Sequence, residues 1–143
     1  MKSFWKTAVF FLCFYLATIA GCGGSKMPVQ ADLMHRHFML ESVDGQLFTV
    51  QQRMPDITFG EGFRVYGQVC NRYTGQGELA EGILVVRHMA STKMFCADAA
   101  LNVLEDQFAR MLAAGVALDF SGDTLTLRQG GHVLVYRLQD KVK

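Results

Sequence analysis

Hairpin punctuation constrains this chain more than any other feature. Short runs of apolar and β-branched residues alternate with small turn signals at Asp44-Gly45, Gly60-Glu61-Gly62, Ser121-Gly122-Asp123 and Gly130-Gly131. An Asp-Gly pair between two strand-like runs specifies a tight hairpin, because glycine reaches the positive φ such turns demand. Residues 38–43 and 46–50 are therefore expected to pair. After Pro55 breaks the chain, residues 57–59 and 63–66 flank the glycine-rich turn and form a second hairpin. The Asn, Thr and Gly content of residues 71–78 favours a loop, and residues 78–86 resume a strand pattern. Residues 117–120, 124–128 and 132–138 supply the closing strands.

One segment departs from the strand period. Leu101, Leu104, Phe108, Met111 and Leu112 recur at three- and four-residue spacing, which lays one apolar stripe along a helix. Asp98 can cap its start and Gly115 can close it, so the spacing predicts a helix over residues 99–114. Antiparallel hairpins with one late helix define an α+β, β-rich fold: a curved antiparallel sheet or open barrel with the helix packed on it.

The first residues do not belong to that body. Lys2 and Lys6 precede an apolar stretch ending in the small residues Ala20 and Gly21, the pattern of a secretory signal. Ile19-Ala20-Gly21-Cys22 resembles the lipobox of bacterial lipoproteins at all four positions. That resemblance implies cleavage before Cys22, a diacylglycerol on its thiol and an acylated amine, with two or more chains anchoring durably where one does not. Gly23, in place of an aspartate, implies the outer membrane, with the domain on its periplasmic face. The competing reading is an uncleaved anchor, since no charge falls between Thr7 and Ser25. Gly21, Gly23 and Gly24 disfavour it, each costing about 1 kcal/mol in a helix interior. The expected organisation is a signal over residues 1–21, a flexible tether over 22–34 and one domain over 35–140.

Without the signal, basic and acidic residues nearly balance and are scattered singly. No face rich in Lys and Arg is legible, so nucleic acid is not an expected partner, and membrane contact should come through lipid. Of the four cysteines, Cys13 leaves with the signal and Cys22 takes the lipid. Cys70 and Cys96 remain in an oxidising compartment and are expected to pair. A zinc site would want two further ligands, and a redox pair would favour Cys-x-x-Cys, which is absent.

Five segments carry a wider likeness: Phe38-Met39-Leu40-Glu41-Ser42-Val43-Asp44-Gly45, Ile57-Thr58-Phe59-Gly60, Val69-Cys70-Asn71-Arg72-Tyr73-Thr74-Gly75, Thr92-Lys93-Met94-Phe95-Cys96 and the helix from Glu105 to Leu112. Together they resemble the META domain family over residues 35–140. Lys93-Met94-Phe95 departs from the paired methionines frequent in relatives. The resemblance implies a β-rich, stress-linked envelope lipoprotein without established catalytic activity, and it singles out Cys70, Asn71, Arg72, Tyr73, Gly75, Thr92, Met94 and Cys96. As framework, Asn71 and Gly75 would supply left-handed turn geometry, Tyr73 would roof the core with its hydroxyl bonded, and the cysteines would staple loop to helix. As function, the same residues would form a binding patch.

Other candidate chemistry is thin. His35 and His37 stand at strand spacing and could share a metal, but a solvated strand start explains them, and His88 and His132 are isolated; no metal or cofactor is expected. Ser91-Thr92-Lys93 could suggest a nucleophile with a lysine base, which would need a shaped pocket. Glu105 and Asp106 are expected on the solvated side of the helix. Met89 and Met94, flanking the segment before Cys96, are the methionines to suspect of partner contact. The expected activity is non-enzymatic binding of an envelope protein or component by a monomeric domain. A carrier holding a small apolar ligand in a β-rich cup is the alternative.

Overall fold

The structure, a computed structural model, describes residues 26–141. The expected signal over residues 1–21, with Cys13, and Cys22, the expected site of lipidation, lie outside the described residues. A short helix, α1 (Gln30–Leu33), leads into β1 (Arg36–Val43) and β2 (Gln46–Leu47). Then come β3 (Asp56–Phe59), a single 3-10 turn at Glu61–Phe63, β4 (Arg64–Gln68), β5 (Arg72–Ala80) and β6 (Ile83–Ser91). Helix α2 (Ala99–Ala114) and the strands β7 (Val116–Ser121), β8 (Thr124–Gln129) and β9 (His132–Lys141) complete the chain.

Every strand from β3 to β8 pairs antiparallel with its successor, and β1 pairs with both β3 and β9. The curved sheet is thereby closed into an eight-stranded barrel, which removes the open edges a sheet would expose. The Asp44-Gly45 hairpin forms with both residues at positive φ (50° and 82°), as its sequence predicts, but its return is only the two-residue β2. β2 extends β1 at Ser42 and Val43, beyond the end of β3 at Met39.

Inward positions of the strands, with Phe63 of the 3-10 turn, fill the barrel. Phe38, Phe59, Phe63, Leu125, Leu127 and Tyr136 are buried, with Phe38 and Phe59 in edge-to-face contact at 6.0 Å and Phe59 stacked on Phe63 at 5.4 Å. Leu33 is also fully buried. Burial of that one side chain, at about 2 kcal/mol, draws α1 onto the barrel, so the packed body starts within the stretch read as tether.

Helix α2 forms where its stripe predicts. Asp98 accepts the Ala100 N–H at 2.8 Å, the Gly115 N–H bonds the Met111 carbonyl at 2.9 Å, and the buried face is Leu101, Leu104, Phe108, Met111 and Leu112. Its position follows from a short ladder. β6 and β7 pair only at Ile83 with Ala117 and Leu84 with Val116, and α2 is inserted between them against β6.

The loop expected over residues 71–78 is corrected: only Asn71 lies outside a strand, and from Arg72 onward the segment is β5. The single strand expected over 78–86 is likewise a hairpin, turning at Glu81 (φ 51°) and Gly82 (φ 75°). Glycine here answers a packing demand. Tyr73, Gly75 and Gly77 are the buried positions of β5; a Cβ on Gly75 would sit 2.4 Å from Val86 Cγ1, and one on Gly77 would sit 2.7 Å from the Phe63 carbonyl oxygen. A Gly75→Ala variant should therefore lose about 2 kcal/mol in denaturant unfolding, by overpacking. An unchanged midpoint would refute the close approach.

Candidate functional site

Between β4 and β5 lie only Val69, Cys70 and Asn71, and the sequence motifs converge on this corner. Cys70 and Cys96 form a disulfide, with Cα atoms 6.0 Å apart and a sequence separation of 26. It ties the corner to the segment leading into α2. Asn71, buried at 6% exposure, uses its whole side-chain amide. Its Oδ1 accepts from the Met94 N–H (2.6 Å) and the Thr92 hydroxyl (2.9 Å); its Nδ2 donates to the Met94 carbonyl (3.1 Å) and a Glu105 oxygen (3.0 Å). Bonding the N–H and the carbonyl of one residue makes the amide a substitute strand for a segment that has none.

Glu105 closes the knot from the helix side. Its other oxygen accepts the Cys70 N–H at 3.2 Å and the Asn71 N–H at 2.8 Å, bonds strengthened by the carboxylate charge. Thr92 accepts the Arg72 N–H through Oγ1 (3.1 Å) while its own N–H bonds the Arg72 carbonyl (3.0 Å). The expectation that Glu105 is surface charge is corrected: it is half-buried and holds a loop corner 34 residues away. The left-handed geometry expected of Asn71 and Gly75 is corrected too, since neither has positive φ.

Tyr73 lies beneath the knot, buried, its hydroxyl donating to the Asp56 carbonyl at 2.9 Å and its ring 5.0 Å from Phe108. Burial above all, then Tyr136 and Asp56, raises its ionisation well above the usual tyrosine range, so it stays neutral. The knot thus carries backbone on one side and core on the other. Beside the exposed Lys93 it displays two large apolar side chains. Met94 is 66% exposed and Phe95 92% exposed, on a segment whose backbone is pinned at Met94 and bridged at Cys96. Met89, by contrast, packs partly buried against the core. In the sequence, Phe95 has one signal, its place in a Lys-Met-Phe run where relatives often carry paired methionines.

The remaining candidates separate. His37 meets Asp56 at 3.2 Å, whereas His35 precedes β1 at φ 61°; His132 meets Asp44 at 3.1 Å. Asp56, unremarked in the sequence, is buried and accepts from Arg53 (2.8 Å) and the Gln68 N–H (2.7 Å). It lines a cleft of about 300 Å³ with His37, Tyr66 and Arg72. Cys70, Cys96 and Glu105 converge closely enough to hold a metal ion, but the sulfurs are spent on each other and the carboxylate on three N–H bonds. Of Ser91-Thr92-Lys93, the Thr92 hydroxyl is committed to Asn71 and Arg72. A cup-type carrier needs interior space, and Phe38, Phe59, Phe63 and Tyr136 occupy it.

A closed antiparallel barrel with one inserted helix, locked by a Cys-Asn corner, defines a small β-barrel domain with a pinned surface loop. The META domain family model matches residues 31–141, and the chain belongs to the META domain family. It is 38% identical over 124 residues to Heat shock protein HslJ of Escherichia coli (strain K12), covering 85% of this chain and 89% of that protein. One protein structure solved by NMR aligns with a TM-score of 0.72 and 37% identity over 78% of this chain and 95% of its own. Another, from Burkholderia xenovorans, aligns at 0.64 with 19% identity, covering 78% and 87%, and supports the fold alone.

Proposed function

We propose that this chain is a non-enzymatic, lipid-anchored envelope protein of the heat-stress response that acts by binding an envelope protein or component through the loop around Met94 and Phe95. The observation that carries the reading is the pairing of exposure with constraint. Phe95 is 92% exposed on a backbone fixed by Asn71 and the Cys70–Cys96 bridge. An exposed aromatic on a mobile loop would lose entropy on docking, whereas a pinned one is preorganised and keeps more of its contact energy. The heat-stress element follows the name of the Escherichia coli relative. The lipid anchor follows the lipobox at Cys22.

The test is a photo-cross-linking side chain at position 95, activated in cells before and after heat stress. A discrete adduct from the membrane fraction, lost when Met94 is also changed to serine, supports the reading. Phe95→Ser itself should leave stability within about 0.5 kcal/mol, as for a surface site. The same absence of adduct at positions 95 and 61 (Glu61, exposed on another turn) would contradict it.

A further inference from the structure

We infer that the end of the barrel carrying Met27, Val29 and Ile83 is seated on the bilayer interface, which directs the Phe95 loop away from the membrane. This rests on the lipid anchor proposed above. The three side chains are 63%, 50% and 43% exposed, and they gather at one pole: Met27, Pro28 and Val29 share a groove with Leu79, Glu81 and Gly82 of the β5–β6 hairpin, which Ile83 follows directly.

Chain length selects the occupant. Five residue steps separate Cys22 from Met27. Fully extended they span at most about 18 Å. An acylated Cys22 lies at the headgroup boundary, so Met27 is held within reach of that layer whatever path the intervening residues take. Apolar side chains kept beside an interface bury part of their surface there. Lys26 and Glu81 put one charge of each sign beside the patch, and both can extend into headgroup water.

Strand geometry fixes the other pole. β6 begins at Ile83 and ends at Ser91, one residue before the knotted loop. Leaving out the bulged residue at His88 (φ 51°), seven steps at about 3.3 Å put the two ends about 23 Å apart, further than the tether lets the body float. Seating the Ile83 end therefore presents Met94 and Phe95 to the aqueous side, where an envelope partner reaches them.

The chain supplies its own clean probe. Its single tryptophan, Trp5, precedes Cys22 and leaves with the signal. Lipidated Ile83→Trp, Val29→Trp and Phe95→Trp proteins, purified from membranes and checked by intact mass for the acyl chains, are reconstituted into vesicles with brominated acyl lipids. Emission of the position 83 and 29 reporters should fall about two-fold, with a blue shift, while the position 95 reporter is unchanged. Two reporters at the same pole guard against one variant failing to fold. Acylated protein with equal quenching at all positions, or none, overturns the orientation while leaving the anchor intact. A blue shift without quenching means that a protein surface covers the patch, and also overturns it. Protein lacking the acyl mass removes the anchor and this inference with it.

Discussion

An Asn71→Ala variant unfolds about 3 kcal/mol more easily than the native chain. The side chain is buried and makes four hydrogen bonds at 2.6 to 3.1 Å, one of them to a carboxylate. Truncation does not merely delete these bonds. It leaves the Met94 N–H, the Met94 carbonyl and a Glu105 oxygen without their partner in a half-buried corner, and unsatisfied groups cost more than a made bond contributes. Some are recovered by water, because the loop is at the surface, which keeps the loss near 3 kcal/mol and not at the sum of the parts. Chemical denaturation measures it; a loss below about 1 kcal/mol would mean that the amide is incidental.

Opening the Cys70–Cys96 bridge, by the paired Cys70→Ser and Cys96→Ser substitutions or by reductant, costs about 3 to 4 kcal/mol in the chain-entropy account of a loop this long. For a domain of this size that lowers Tm by roughly 10 to 15 °C. Identical melting of oxidised and reduced protein would refute the bridge as a structural element. The two effects should not add. Asn71 and Cys70 are neighbours and both restrain the segment around Met94, so Asn71→Ala costs less once the bridge is open, and a double-mutant cycle reads that coupling directly.

What was legible in the sequence was local. The Asp44-Gly45 hairpin, the Gly130-Gly131 turn and α2 with its Asp98 cap each declare themselves within a few residues, because turn geometry and helical periodicity are short-range constraints. β5 was misread for an equally local reason. Asn71, Thr74, Gly75 and Gly77 have the composition of a loop, whereas the glycines are there because Val86 and Phe63 lie against the strand. That neighbour is invisible until the sheet is folded. Closure of β1 onto β9 joins residues about a hundred positions apart and left no sequence signal. Glu105 failed in the same way: it stands beside Asp106 among the polar residues of α2, and only the β4–β5 corner turns it from surface charge into an anchor. Cys70 stands out by cysteine count and compartment, and Asn71, Thr92 and Met94 by likeness to the family; neither signal says that these residues touch.

Backbone amide hydrogen exchange at Met94 tests the central claim most directly. Met94 lies in an exposed segment outside any strand or helix, where an unrestrained amide exchanges at its intrinsic rate. With its N–H held by Asn71 Oδ1 at 2.6 Å, it is predicted to be protected by at least about a hundredfold in the oxidised protein. Asn71→Ala should abolish that protection while Leu127, in the barrel core, stays protected. Intrinsic-rate exchange at Met94 in the unmodified protein would contradict the account, because the loop carrying Phe95 would then be free and not held.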